Sequence, residues 1–151
     1  MSLTSGRTAI EAYLQAQWVS AVPMGMDGHA FTVAAPSIRM TITEGAVLQG
    51  SIGRTLNQVH QIGLVTFQIF TAGGTGSEEW RGLADTLMDL FHGKTLDAAG
   101  AVVTTQAQTA LVRFSPPELG NGAHPYISAM IEDPPYQMVN VMVPCIRYEL
   151  R

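Results

Sequence analysis

Residues 63–91, GLVTFQIFTAGGTGSEEWRGLADTLMDLF, set a buried strand, a glycine loop and an amphipathic helix in immediate succession. Val65, Phe67 and Ile69 alternate with Leu64, Thr66, Gln68 and Phe70, so both faces of the first part are largely apolar. That pattern, with its β-branched and aromatic content, predicts a strand covered on at least one side, near the middle of a sheet. Trp80, Leu83, Ala84, Leu87, Met88 and Phe91 then recur with a 3.6-residue period, so the helix must lay that stripe on something apolar. Each large side chain there contributes roughly 1.5–3 kcal/mol on burial, before ordering entropy is subtracted. These two elements are the expected heart of the core.

The loop between them, residues 71–77, stands where a phosphate-binding loop would stand, after a strand and before a helix N-terminus. Its chemistry is wrong for that task. Glu78 and Glu79 follow where a phosphate loop needs a Lys-Ser/Thr pair, and they already satisfy the positive end of the helix dipole. No third glycine follows Gly76 at the dinucleotide spacing either. The reading is a turn in which Ser77 or Thr75 caps the helix, with Thr75 and Glu78 spaced as a capping box.

The rest of the chain reads as a compact alternation of elements. Ser5 caps a first helix running to about Val19, with Ile10, Tyr13, Leu14 and Trp18 on one face. Pro23, Gly25 and Gly28 mark a connection, and residues 30–33 read as a short strand with Phe31 and Val33 inward. Ile38, Met40 and Ile42 alternate with Arg39, Thr41 and Thr43 in a half-exposed strand. Glu44-Gly45 is a turn candidate, and residues 46–61 carry a weak signal that suits a hairpin arm or an extension of the flanking strands. Gly93 stops the central helix, with His92 and Lys94 placed to favour its negative end. Residues 102–114 form the next strand candidate, interrupted by Gln106 and Gln108. Residues 115–125 are a surface loop by composition, and residues 126–131 a strand that Asp133-Pro134-Pro135 breaks. In the last segment Val139, Val141 and Val143 alternate in one phase and Ile146, Tyr148 and Leu150 in the other. One extra residue in a bulge at Pro144-Cys145 reconciles the two phases, and the proline there also suggests an edge position or a bulge. The expected fold class is α/β (α+β): a single mixed, mostly antiparallel sheet of about four to five strands with helices packed on one face.

At 151 residues the chain is most simply one domain. Only 13% of its residues are charged and 46% are hydrophobic, a weakly polar make-up that suits a subunit buried in an assembly better than a free monomer. The net charge of −4, with eight scattered Lys and Arg, argues against nucleic acid as the main partner. No apolar run approaches a bilayer-spanning length, so no membrane partner is expected, and the start lacks the layout of a signal peptide. Cys145 is the one cysteine, excludes an internal disulfide and reads as a buried packing thiol.

Catalytic and metal chemistry find little footing. His29, His60, His92 and His124 share no metal-ligand spacing. Asp85 and Asp89 lie four apart on the helix face opposite the apolar stripe, which is a solvated surface. Ser51 and Ser128 lack a nucleophile-elbow context. Neither a cofactor, a metal nor an enzymatic activity is expected.

Residues 63–71, of the form G-x-V-x-F-Q-I-F-T, then the glycine turn and the helix motif L-A-D-x-L-x-x-L-F, resemble the tail-terminator proteins of long-tailed bacteriophages. The resemblance extends to residues 8–18 as the opening helix, 36–42 as the first long strand and 141–148 as the closing strand. Residues 45–60 and 92–126 match nothing in that pattern. The resemblance implies a single tail-terminator-like domain over 1–151 and a phage or prophage structural protein. Its implied partners are further copies of itself in a ring, hexameric in this family, the tail tube protein and the head–tail connector protein. The ring would cap the tube, end its growth and present a surface for head joining. The implied location is the virion tail, and the bacterial host cytoplasm during assembly. Strand edges, including the segment ending at Arg151, are the expected seams between copies. Arg39, Arg54, Arg113 and Tyr148 are the candidate interface residues, although an exposed arginine on a strand is most often simply solvated. The loops at 45–60 and 115–125 are the candidates for axial contacts. Alternatives are a head–tail connector or minor tail protein, a soluble small-molecule-binding α/β domain, and an enzyme of unknown type.

Overall fold

A computed structural model describes residues 3–53, 57–104, 111–116, 119 and 124–150. Two long antiparallel strands form its spine, β3 (Gln58–Ala72) and β7 (Tyr136–Leu150), paired without interruption from Gln58 opposite Leu150 to Ala72 opposite Tyr136. β2 (Ser37–Gln49) pairs antiparallel with the other side of β3, and the two-residue β1 (Met24–Gly25) adds parallel to the start of β2. The free side of β7 is shared. β6 (Tyr126–Asp133) pairs with its first half, and β5 (Val112–Phe114), with β4 (Thr95–Leu96) beyond it, pairs with its second half.

The result is an α+β fold whose curled sheet has seven strands among the described residues, not four to five. The surplus comes from β1 and β4, pieces of two residues too short to show an alternation of their own. The chain is mostly antiparallel as expected, with β1–β2 the parallel pair among the described strands.

Strict period-two burial governs the spine. Val59, Gln61, Gly63, Val65, Phe67, Ile69 and Thr71 all point inward from β3. Onto this face pack α1 (Leu3–Gln17), through Ala9, Ile10, Tyr13 and Leu14, and α2 (Glu78–Phe91), through Trp80, Ala84, Leu87 and Phe91. Phe91 is the hinge point of the core: its ring centroid lies 5.5 Å from Tyr13, 5.4 Å from Phe67 and 4.7 Å from Phe114. The helix stripe and the central strand are thus where the sequence placed them.

Local punctuation departs from expectation in six places. α1 begins at Leu3, so Ser5 lies inside the helix rather than capping it. Residues 30–33 form no strand; Phe31 tucks beside Phe70 at 5.8 Å while Val33 stays exposed. Glu44-Gly45 is not a turn, because β2 continues through it with one extra residue against β3, a bulge between Glu44 and Val47. The capping box is absent: Thr75 Oγ1 donates to Ala72 O at 2.8 Å, and Ser77 accepts from Arg81 Nε at 3.1 Å instead of capping α2. Among the described residues of 102–114, Val112–Phe114 form a strand and Val102 bridges Leu96; residues 105–110, Gln106 and Gln108 among them, lie outside the described residues.

The sixth departure is the closing strand. β7 keeps one register across Pro144 opposite Leu64 and Cys145 opposite Gly63, with neither bulge nor edge position. Pro144 is tolerated because its missing N–H faces the gap where β6 gives way to β5. Tyr148 N donates to Leu111 O on that side, which sets the parity, and Ser115 N reaches Pro144 O at 3.4 Å. The apolar phase switches because Cys145, Arg147 and Glu149 take the inward positions, while Ile146 is buried on the opposite face. The hairpin arm, by contrast, is present: β2 and β3 remain paired out to Gln49 opposite Val59.

Candidate functional site

The chemistry-bearing groups are scattered. Cys145 is buried, and its thiol is pushed up to about 12 by desolvation first and the Glu44 carboxylate second, so it stays protonated and inert at neutral pH. Beside it, Arg147 extends along the inner face, Nη1 4.0 Å from Glu44 and Nη2 3.8 Å from Glu149. This charged group closes one end of the core beneath Gly6 of α1 and is far too enclosed to admit a substrate, the adjoining cavity measuring about 10 Å³. A second, open cleft of about 210 Å³ runs past Leu3, Arg7, Asp27 and Glu44, smaller than the ~300 Å³ lower bound of ordinary ligand pockets. His92 and His124 stack at 4.8 Å on the surface, and Asp85 and Asp89 face solvent. Among the described residues no three His, Cys, Asp or Glu side chains gather as metal ligands, and no helix is long and apolar enough to cross a membrane.

What the fold does build is unpaired sheet edge with apolar side chains on it. β6 bonds to β7 along one edge, and no strand among the described residues pairs with its other edge. Tyr126, Ile127, Met130 and Ile131 remain 45%, 38%, 53% and 46% exposed. They lie on both faces: Ile127 and Met130 pair with the inward Val141 and Val139, Tyr126 and Ile131 with the outward Met142 and Met138. The inward-facing Ile127 and Met130 are thus exposed as well. The opposite edge repeats the condition. Beyond the segment held by β1, residues 43–49 of β2 are exposed throughout, with Val47 at 51% and Leu48 at 47%.

Of the interface candidates, Arg39 is exposed on β2, in the segment that β1 holds through Gly25, and makes no ion pair among the described residues. Arg113 is half-buried on β5 between Thr95 and Ile146. Tyr148 is half-buried, its ring edge-on to His60 at 4.9 Å. Arg54 lies outside the described residues, as do parts of both candidate axial loops. Of the three described candidates, Arg113 and Tyr148 are diagonal neighbours across β5 and β7, and Arg39 lies apart from them, level with Asn140 of β7. The segment ending at Arg151 has strands on both sides through Arg147, with Tyr148 N donating to Leu111 O; beyond that the described residues place β3 alone beside Glu149 and Leu150, and Arg151 itself is outside the described residues. The residues passed over are Ile127, Met130, Val47 and Leu48. Their signal was available: YISAMI runs six residues with no charge, where a guarded edge would carry one.

A family model for phage tail terminator proteins matches residues 7–114, well over half of the chain. The chain belongs to the phage tail terminator protein family. As a member it is a structural component of the phage tail. A solved structure 17% identical in sequence aligns over 99% of this chain and 96% of its own, with a TM-score of 0.66, which speaks to the fold alone. No curated protein matches the chain.

Proposed function

We propose that this tail terminator caps the tail tube as a ring of identical copies, ends tube polymerisation and offers its far side to the head–tail connector. The family match over residues 7–114 carries this reading. The weakly charged surface and the two unguarded sheet edges support self-association, because apolar strand edges left in water invite pairing. The mechanism is geometric. One face of the ring complements the last tube layer, and the other lacks the surface that would seat another. Head-to-tail contacts of this kind close into a ring when the rotation between neighbours closes; the copy number expected in this family is six. Assembly takes place in the host cytoplasm, and the finished ring stays in the virion tail. No catalytic step enters the mechanism.

The test is sedimentation velocity over a wide concentration range, negative-stain images of the heaviest species, and tube-length measurement when the chain is added to polymerising tail tube protein. Rings in the images and tubes arrested at shorter lengths are the expected outcome. Tubes that lengthen unchecked in the presence of excess chain would refute the capping role.

A further inference from the structure

The two open edges of the sheet fit each other. We propose that the seam between copies is a strand pairing, in which β6 of one copy adds antiparallel to residues 43–48 of β2 in the next, with Tyr126 opposite Leu48. This rests on the self-association proposed above and names its contact.

Direction comes first. Along β2, β3, β7 and β6 every neighbouring pair is antiparallel, so a copy set beside another in the same orientation presents β6 antiparallel to the neighbour's β2. The pattern continues across the boundary without a break.

Register follows from faces and bulges. Tyr126 and Leu48 both belong to the outward face, since they pair with Met142 and His60; Ile127 and Val47 both belong to the inward face, since they pair with Val141 and Gln61. With Tyr126 opposite Leu48, Ile127 falls opposite Val47, and all four exposed apolar side chains meet a like-facing partner. Each strand also carries one irregularity, between Ile127 and Ala129 on β6 and between Glu44 and Val47 on β2. This register sets those irregularities against each other, so the faces stay matched beyond them, with Ile131 opposite Thr43. The pairing stops there, because Ile42 N is already bonded to Asp27 Oδ1 at 3.1 Å.

Charge agrees. Past the paired segment, where β1 and Asp27 hold the edge of β2, the incoming strand lifts away and carries the exposed Asp133 over the outward face, the face on which Arg39 stands. Within a single copy, Arg39 and Asp133 make no ion pair among the described residues.

The offset is that of a closed ring. Inside one copy Tyr126 stands level with Thr41, through Met142 and Thr66. Placing it opposite the neighbour's Leu48 displaces the copies by about 20 Å along the strands, while four strands span about 19 Å across. The strands then incline about 45° to the ring axis, at the upper end of the tilt found in closed barrels. Such a seam buries on the order of 400 Å² on each copy, about half of what a stable two-chain complex uses. A closed ring gives each copy two seams, so the ring, rather than a dimer, is the stable species.

The test is a pair of cysteines, Val47→Cys with Ile127→Cys, oxidised mildly at assembling concentration and read on a non-reducing gel. The double variant should give a ladder of linked copies ending at the ring, and each single variant should stay unlinked. Self-linked dimers from Ile127→Cys alone, or no ladder from a double variant whose rings are visible in negative stain, would overturn the seam and leave the capping reading standing. A wild-type chain that stays monomeric even with tail tubes present would sink both. A charge exchange checks the register independently of the cysteines. Asp133→Arg should raise the concentration for half-assembly about fivefold, the scale of a cross-strand charge pair, and adding Arg39→Asp should restore it. If the double exchange assembles no better than Asp133→Arg alone, the register is wrong.

Discussion

Gly100 has a backbone φ of 80°, and a Cβ placed there would lie 2.6 Å from Ala9 O and 2.9 Å from Tyr13 N. The turn that carries it is tied by Asp97, whose Oδ1 accepts from Ala99 N and Ala101 N at 2.9 and 3.0 Å. The turn therefore rests directly on α1 and has no room to withdraw. Gly100→Ala should lose about 2 kcal/mol or more of stability in urea titration, from the left-handed backbone and the clash together. Cys145 offers a second residue-scale test. Its thiol rises from 9.0 to about 12 on folding, so the folded state prefers the protonated form. That preference stabilises the protein fully below pH 9 and is lost as pH rises from 9 towards 12, with a limiting slope near 1.4 kcal/mol per pH unit. The phenol of Tyr13 is also raised by desolvation and adds to the same alkaline loss above pH 10. Cys145→Ala should flatten the alkaline fall in denaturation midpoint without abolishing it. An unchanged slope would show that the thiol is not held protonated.

Elements with a long, regular pattern were legible in the sequence, and those fixed by tertiary contact were not. The α2 stripe from Trp80 to Phe91 and the alternation of β3 each repeat often enough that burial leaves one reading. β1 and β4 exist because a neighbouring strand offers bonds to two residues, and no local period announces that. The closing strand misled for a different reason. A buried Arg147 between Glu44 and Glu149 looks in sequence like an outward residue, so the phase seemed to change where only the polarity of the inner face changes. Of the proposed seam, the uncharged run YISAMI was legible in the sequence, but that β6 carries an open edge became visible only once β7 was known to have strands on both sides. At this scale the weight of the core falls on α2. Phe91→Ala removes the ring shared by Tyr13, Phe67 and Phe114, and should lower unfolding free energy by about 3–5 kcal/mol. A loss below about 1 kcal/mol would mean the cluster collapses around the gap.

At the scale of the whole molecule, the scarcity of charge sets how the chain should associate. With 13% charged residues and one proposed ion pair per seam, attraction between copies comes mainly from strand hydrogen bonds and from apolar side chains on β6 and the β2 arm. Salt screens exposed charge pairs over a Debye length of about 8–10 Å near physiological strength but leaves apolar burial intact. Raising sodium chloride from 0.05 to 0.5 M should therefore move the half-assembly concentration by no more than about fivefold per seam, the worth of the Arg39–Asp133 pair. Cooling should act more strongly than salt, because apolar burial weakens as temperature falls. Sedimentation velocity at two salt concentrations and two temperatures separates the contributions. Assembly that dissolves in 0.5 M salt but survives in the cold would assign the contact to charged surface elsewhere, and the apolar edges of β6 and β2 would then have to face the tube or the connector instead.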